Sequence, residues 1–98
     1  MKRDDALRLL AEHKAELAEE FGVTAIYLYG SVARDEAGPE SDVDVLVEFD
    51  GRPMGYFTFF RLQDRLTEIL GTEVDLGMPD TLRRRIRDEV LREAIRAA

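Results

Sequence analysis

The sequence predicts an α/β (α+β) fold in which a three-stranded sheet is packed with helices, in the order α-β-(α)-β-α-β-α. Two observations lead to this class. Segments with apolar residues at helical spacing alternate with short β-branched or aromatic segments, and glycines separate most of them. The chain has 98 residues, which is the length of one domain, so we expect a single domain over residues 1–98.

Apolar spacing predicts the helices. The first covers about residues 4–21 and ends at Gly22, and a short helical turn is expected over residues 32–36. A third helix covers residues 56–70, and the last begins at residues 79–81. The buried stripe of that last helix is predicted to consist of Leu82, Ile86, Val90, Leu91, Ala94 and Ile95.

Three segments are predicted as strands, at residues 24–29, 42–49 and 73–77. In the second, every other residue from Val43 to Val47 is valine, which is typical of a strand with one buried face. The first strand alternates poorly, as expected for a strand that is covered on both faces.

Composition excludes several classes of function. The formal net charge is -7, whereas general nucleic-acid binding requires a basic surface. The chain has no cysteine, which excludes disulfides, thiolate metal sites and cysteine nucleophiles. It shows neither a signal peptide nor an apolar run near the ~18 residues of a membrane span. We therefore expect a soluble cytoplasmic protein that contacts neither membranes nor nucleic acid directly.

Gly30 and Ser31 stand between the first predicted strand and the helical turn. Glycine lets a backbone approach a ligand closely, serine adds a hydroxyl, and a helix N-terminus attracts anions. The pair therefore indicates a phosphate site. The same two residues also fit an ordinary turn with a helix N-cap.

Asp42 and Asp44 open the second strand and would face the same way, about 6.6 Å apart along the chain. Two repelling carboxylates at the start of a core strand cost stability, and a divalent cation would offset this cost. The alternative is that the two acids lie at a solvated strand end. If Val74 and Leu76 face the core, Asp75 faces the opposite side, beside those two acids. Three carboxylates can hold two Mg²⁺ ions about 3.5–4 Å apart, which suits nucleotidyl transfer by in-line displacement.

Two stretches of the chain carry a family resemblance. Residues 28–34 read Leu-Tyr-Gly-Ser-x-Ala-Arg, and residues 39–47 read Pro-x-Ser-Asp-x-Asp-x-Leu-Val. This pattern, Gly-Ser followed after ten residues by Asp-x-Asp, resembles the minimal nucleotidyltransferases of the polymerase-β superfamily. The resemblance covers nearly the whole chain and implies the nucleotidyltransferase fold with its mixed sheet. Asp35 departs from the pattern, because relatives often have glycine after the arginine.

The resemblance implies a role for each motif residue. Gly30 and Ser31 would hold the phosphates of ATP, and Asp42 and Asp44 would bind both Mg²⁺ ions. Asp75 would bind the catalytic Mg²⁺ and orient or deprotonate the acceptor. Arg34 would neutralise phosphate or brace the loop, or else form a surface ion pair with Asp35 or Glu36.

Minimal nucleotidyltransferases of this kind are often antitoxins paired with HEPN-domain ribonuclease toxins. The resemblance therefore implies a Mg²⁺-dependent antitoxin of a toxin–antitoxin system that binds a HEPN partner. It would transfer AMP from ATP to a tyrosine of the toxin (AMPylation) and so neutralise it. Two alternatives stay open: an antitoxin that blocks its partner sterically without catalysis, and a transferase that acts on a small-molecule acceptor.

Two further clusters have a structural and a functional interpretation. Phe57, Phe59 and Phe60 are interpreted as core residues, with a partner-binding patch that includes Tyr56 as the alternative. The basic run of residues 83–87 is interpreted as a solvated helix face, with contact to triphosphate or to an acidic partner as the alternative.

Overall fold

The computed structural model describes the chain in five stretches: residues 1–36, 38, 42–51, 55–77 and 84–98, with the backbone alone for 84–87. The helices in these stretches are α1 (Arg3–Glu12), α2 (Lys14–Phe21), α3 (Gly30–Ala33), α4 (Tyr56–Leu70) and α5 (Arg84–Glu93). The strands are β1 (Val23–Tyr29), β2 (Val43–Phe49), β3 (Val74–Gly77) and β4 (Ile95–Arg96). Motif residues 39–41 lie outside the described residues.

The sheet is mixed, with strand order β3-β2-β1-β4. β1 runs antiparallel to both β2 and β4, whereas β2 and β3 are parallel. The predicted mixed α+β architecture is thus confirmed, but the described strands number four instead of three. β4 was missed because its two residues are too few for a period-2 pattern. Ile95 was assigned to the last helix and instead pairs with Leu28 of β1.

The first predicted helix is two helices, α1 and α2, which meet at His13. The backbone of His13 leaves helical geometry, and its ring nitrogen Nδ1 lies 2.9 Å from the carbonyl oxygen of Leu9. Leu10 and Leu17 on either side are both fully buried. The apolar spacing therefore continues across the break, which is why periodicity alone predicted one helix.

The predicted bounds of α4 are confirmed at both ends. Gly71 ends it in the left-handed conformation, with φ 71°, and its N–H donates to the carbonyl of Thr67 at 2.8 Å. The core interpretation of the aromatic residues holds for Phe59, which packs against the core. It is wrong for Phe57, which is 89% exposed, and for Phe60, which is also exposed.

Two further predicted helical segments are the short turn and the last helix. The short turn forms earlier than expected, as α3, and begins at Gly30 itself. The predicted start of the last helix at residues 79–81, Leu82, and the side chains of the basic run lie outside the described residues. Leu91 was predicted as buried but is exposed. Within the described ranges, every helix is too short or too polar to span a lipid bilayer.

One face of the sheet carries the hydrophobic core. Leu28, Val45 and Leu76 stand opposite one another on β1, β2 and β3, and all three are buried. They belong to a cluster that includes the buried leucines of α1, α2 and α4. Successive residues of a strand point to opposite faces. The next row along these strands therefore points away from the core.

Asp35 follows α3 with φ 59°, the left-handed region that glycine adopts most easily. This conformation accounts for the glycine that relatives often have at this position. We expect Asp35→Gly to be more stable than Asp35→Ala by about 0.5–1 kcal/mol, because only glycine relieves the strain. Urea unfolding of the two variants tests this, since both lack the carboxylate. Equal or greater stability of the alanine variant would contradict it.

Candidate active site

The row of residues that faces away from the core consists of Tyr29, Asp44 and Asp75. Asp44 of β2 stands opposite Tyr29 of β1 on one side and opposite Asp75 of β3 on the other. Directly paired residues of neighbouring strands point to the same face of a sheet. The structure thus brings Asp44 and Asp75 together. Asp42 lies just before β2 and is exposed.

Asp44 lies in a strongly negative environment. Its pKa is raised first by partial burial and then by the charges of Asp75 and Asp42. A hydrogen bond between the side chains of Asp44 and Asp75, which needs a proton on one of them, raises it further. Arg34 acts in the opposite direction. The two carboxylates are therefore in contact, and their repulsion favours a cation between them.

Tyr29 completes the row, and sequence reasoning missed it as a site residue. Burial and then the charges of Asp44 and Asp75 raise the pKa of its phenol to about 12. The hydroxyl lies near Gly77, where an added Cβ would be 3.7 Å from it. The phenol of Tyr29 therefore stays protonated and uncharged beside the two carboxylates. Its place in the motif, directly before Gly30, was the only sequence signal available.

Gly30 lies directly against Asp44. Its φ is 72°, and an added Cβ would overlap Oδ2 of Asp44 and lie 3.0 Å from Cγ. Both the backbone conformation and the space therefore require glycine here. Ser31 is the second residue of α3, and the N-cap is Tyr29. The alternative interpretation of Ser31 as an N-cap is therefore wrong, and its hydroxyl is not used for capping.

Arg34 is the C-cap residue of α3, and two carboxylates hold its side chain. Its Nε donates to Oε2 of Glu36 at 3.1 Å, and its Nη1 donates to Oε2 of Glu93 at 3.0 Å. These bonds raise the pKa of the guanidinium, that to Glu36 most strongly. The surface pair with Glu36 was one of the predicted alternatives. Glu93 was missed, because it lies 59 residues away in the sequence.

The donor set suits a hard divalent cation, which prefers carboxylate oxygens. Among the residues that the structure describes, no group of three His, Asp or Glu side chains forms a ligand set for one ion. Asp44 and Asp75 are in contact, and Asp42 acts on Asp44 through its charge. Mg²⁺ commonly binds one or two carboxylates and completes its shell with water and substrate phosphates. The pair fits that pattern.

Residues 10–97 match the nucleotidyltransferase domain family. The chain belongs to this family. This nucleotidyltransferase is 44% identical over 87 residues to the protein adenylyltransferase MntA of Thermococcus cleftensis, across 89% of this chain and 87% of that protein. The family membership and the enzyme class that the motifs predicted are thus confirmed.

Solved structures support the same fold. A minimal nucleotidyltransferase superposes on this nucleotidyltransferase with a TM-score of 0.79 and 37% identity, covering 97% of this chain and 95% of that one. A Shewanella oneidensis MNT antitoxin, in complex with a tri-AMPylated HEPN toxin, has a TM-score of 0.66 over 94% of this chain and 71% of the other. Its identity is 18%, so it shows the fold alone.

Proposed function

We propose that this nucleotidyltransferase is a Mg²⁺-dependent antitoxin that transfers AMP from ATP to a tyrosine of a HEPN-domain toxin. One observation carries the proposal: Asp44 and Asp75 lie side by side on neighbouring strands, and Asp44 lies directly against Gly30. A relative named protein adenylyltransferase and a fold neighbour bound to an AMPylated HEPN toxin support the choice of acceptor.

Each residue of the site has its own role in this proposal. Gly30 leaves room for the carboxylate of Asp44 to lie against the motif backbone, and Ser31 offers a hydroxyl that the helix does not use. Asp42, Asp44 and Asp75 would hold Mg²⁺, which neutralises the phosphates and makes the acceptor hydroxyl more acidic. Asp44 lies in the strand ladder between Tyr29 and Asp75, so its backbone position is set before any ligand binds.

The reaction itself is a displacement at the α-phosphorus of ATP. The acceptor oxygen forms a bond to this phosphorus, the bond to the bridging oxygen breaks, and pyrophosphate leaves. The acceptor loses its proton, and we assign Asp75 as the carboxylate that accepts it. Asp75 is exposed and belongs to β3, an edge strand, so a side chain of another protein can reach it.

The test is to mix the protein with a HEPN-domain toxin, ATP and Mg²⁺, and to measure the mass of the toxin. We expect a mass gain of whole AMP units that is lost in Asp42→Ala/Asp44→Ala and on removal of Mg²⁺ with a chelator. Glu48→Ala is the matched control, because Glu48 lies on the same face of β2, beyond the site, and is exposed.

The alternatives give different results. Absence of a mass gain, together with inhibition of the toxin retained in Asp42→Ala/Asp44→Ala, would identify a steric antitoxin and overturn the proposal. Transfer to a small molecule but not to the toxin would leave the chemistry in place and change the acceptor.

A further inference from the structure

An ion pair connects the motif loop to the far end of the chain. Glu93 is the last residue of α5, and its carboxylate accepts the hydrogen bond from Nη1 of Arg34 at 3.0 Å. Helices α3 and α5 lie against each other at this point. The site described above is therefore bordered by α5 as well as by the strand ends.

The backbone of Arg34 is fixed relative to Gly30. The N–H of Arg34 donates to the carbonyl of Gly30 at 3.2 Å and so closes the single turn of α3. Gly30 in turn lies against Asp44. The Cα of Arg34 is thus held one helical turn from Gly30, and its partners Glu36 and Glu93 set the direction of its long side chain.

The guanidinium keeps most of its hydrogen-bonding capacity. It carries five N–H donors, of which Glu36 takes Nε–H and Glu93 takes one N–H of Nη1. Among the described residues, no other group takes the remaining three donors. An arginine oriented by carboxylates can therefore bind a phosphate oxygen with the remaining donors, without breaking either bond.

We propose that Glu93 is a positioning residue for nucleotide binding, which holds Arg34 so that its remaining N–H donors meet the phosphates of ATP at Gly30. This inference rests on the proposed function of the site. Without Glu93, the side chain of Arg34 would be held by Glu36 alone and would sample more rotamers. Binding of phosphate would then cost more rotamer entropy.

The bridge itself contributes little to folding. The side chains of Arg34 and Glu93 are 45% and 51% exposed, and exposed ion pairs add little to the free energy of unfolding. Loss of Glu93 is therefore expected to change nucleotide affinity while the melting temperature stays near that of the wild type. The two effects can be measured separately.

The experiment compares Glu93→Gln with Glu89→Gln in the chain of 98 residues. Glu89 lies one turn earlier on α5 and is exposed, so its replacement removes the same charge without touching Arg34. We expect Glu93→Gln to weaken the binding of ATP with Mg²⁺ about three- to tenfold by calorimetry. In Glu93→Gln the KM for ATP should rise by a similar factor, whereas kcat should stay nearly unchanged. Glu89→Gln should bind ATP as the wild type does.

A double-mutant cycle with Arg34→Gln decides the route of the effect. If Glu93 acts through Arg34, adding Glu93→Gln to Arg34→Gln causes no further loss of ATP affinity. A further loss in that background would overturn the inference, as would unchanged or tighter binding in Glu93→Gln alone. So would wild-type affinity in Arg34→Gln.

The proposed function fails in a different way. It fails if the wild-type protein binds ATP but transfers no AMP to the toxin, and in that case the calorimetric cycle still supports or overturns the role of Glu93. A wild-type protein that binds no ATP at all would overturn both.

Discussion

Gly30→Ala is expected to slow AMP transfer about 100-fold while the protein still folds. The methyl group would overlap Oδ2 of Asp44 and force this carboxylate out of the row that it shares with Asp75. Misplacement of a catalytic group by about 1 Å can slow a reaction about 100-fold. The measurement is the rate of mass gain of the toxin, with circular dichroism to verify the fold.

Gly71→Ala is the matched control for this substitution. The φ of Gly71 is 71°, against 72° at Gly30, and an added Cβ at Gly71 meets no described atom within 4 Å. The two variants therefore carry similar backbone strain, about 1–2 kcal/mol, and differ in the overlap with Asp44. We expect Gly71→Ala to lose stability and keep its transfer rate. If both variants lost activity equally, strain alone would explain the result.

Asp75→Asn is expected to slow AMP transfer on the order of 100- to 1,000-fold while ATP binding stays measurable. Asparagine keeps the size of the side chain and removes the charge that faces Asp44 and the acceptor. Asp44 keeps its own carboxylate, and without the charge of Asp75 its pKa falls toward the usual range. Single-turnover transfer and calorimetry with ATP and Mg²⁺ separate the two effects.

Glu73→Gln provides the comparison for Asp75→Asn. Glu73 precedes β3 by one residue, is exposed, and lies two positions before Asp75. We expect Glu73→Gln to transfer AMP at nearly the wild-type rate. If instead Asp75→Asn were active and Glu73→Gln inactive, the acceptor-side carboxylate would be Glu73.

The sequence predicted best the element in which a long helical repeat of apolar residues is bounded by glycines. α4 has fifteen residues with an apolar stripe and a glycine at each end, and its bounds were predicted correctly. The break at His13 and the strand β4 could not be found in this way. Helical spacing continues across the first, and the second depends on pairing between residues 67 positions apart, Leu28 and Ile95.

In the site, too, local patterns predicted one contact and missed others. The meeting of Asp44 and Asp75 followed from strand alternation, because their neighbours Val43, Val45, Val74 and Leu76 are core residues. The contact between Gly30 and Asp44, and that between Arg34 and Glu93, required the actual distances. Local patterns thus identified the chemical groups, whereas long-range contacts decide which of them act together.

The pairing of β4 with β1 has a consequence for biosynthesis. Besides β2, strand β1 pairs with β4, whose residues leave the ribosome long after β1 itself. Glu93, which contacts Arg34, belongs to the same C-terminal segment of the sequence. Contacts between positions far apart in sequence form late in folding, after the entropy of closing the loop has been overcome. A nascent chain that has not yet reached Ile95 therefore holds every motif residue but lacks part of the scaffold that orders them. Full nucleotide affinity is expected only once residues 93–96 have left the ribosome.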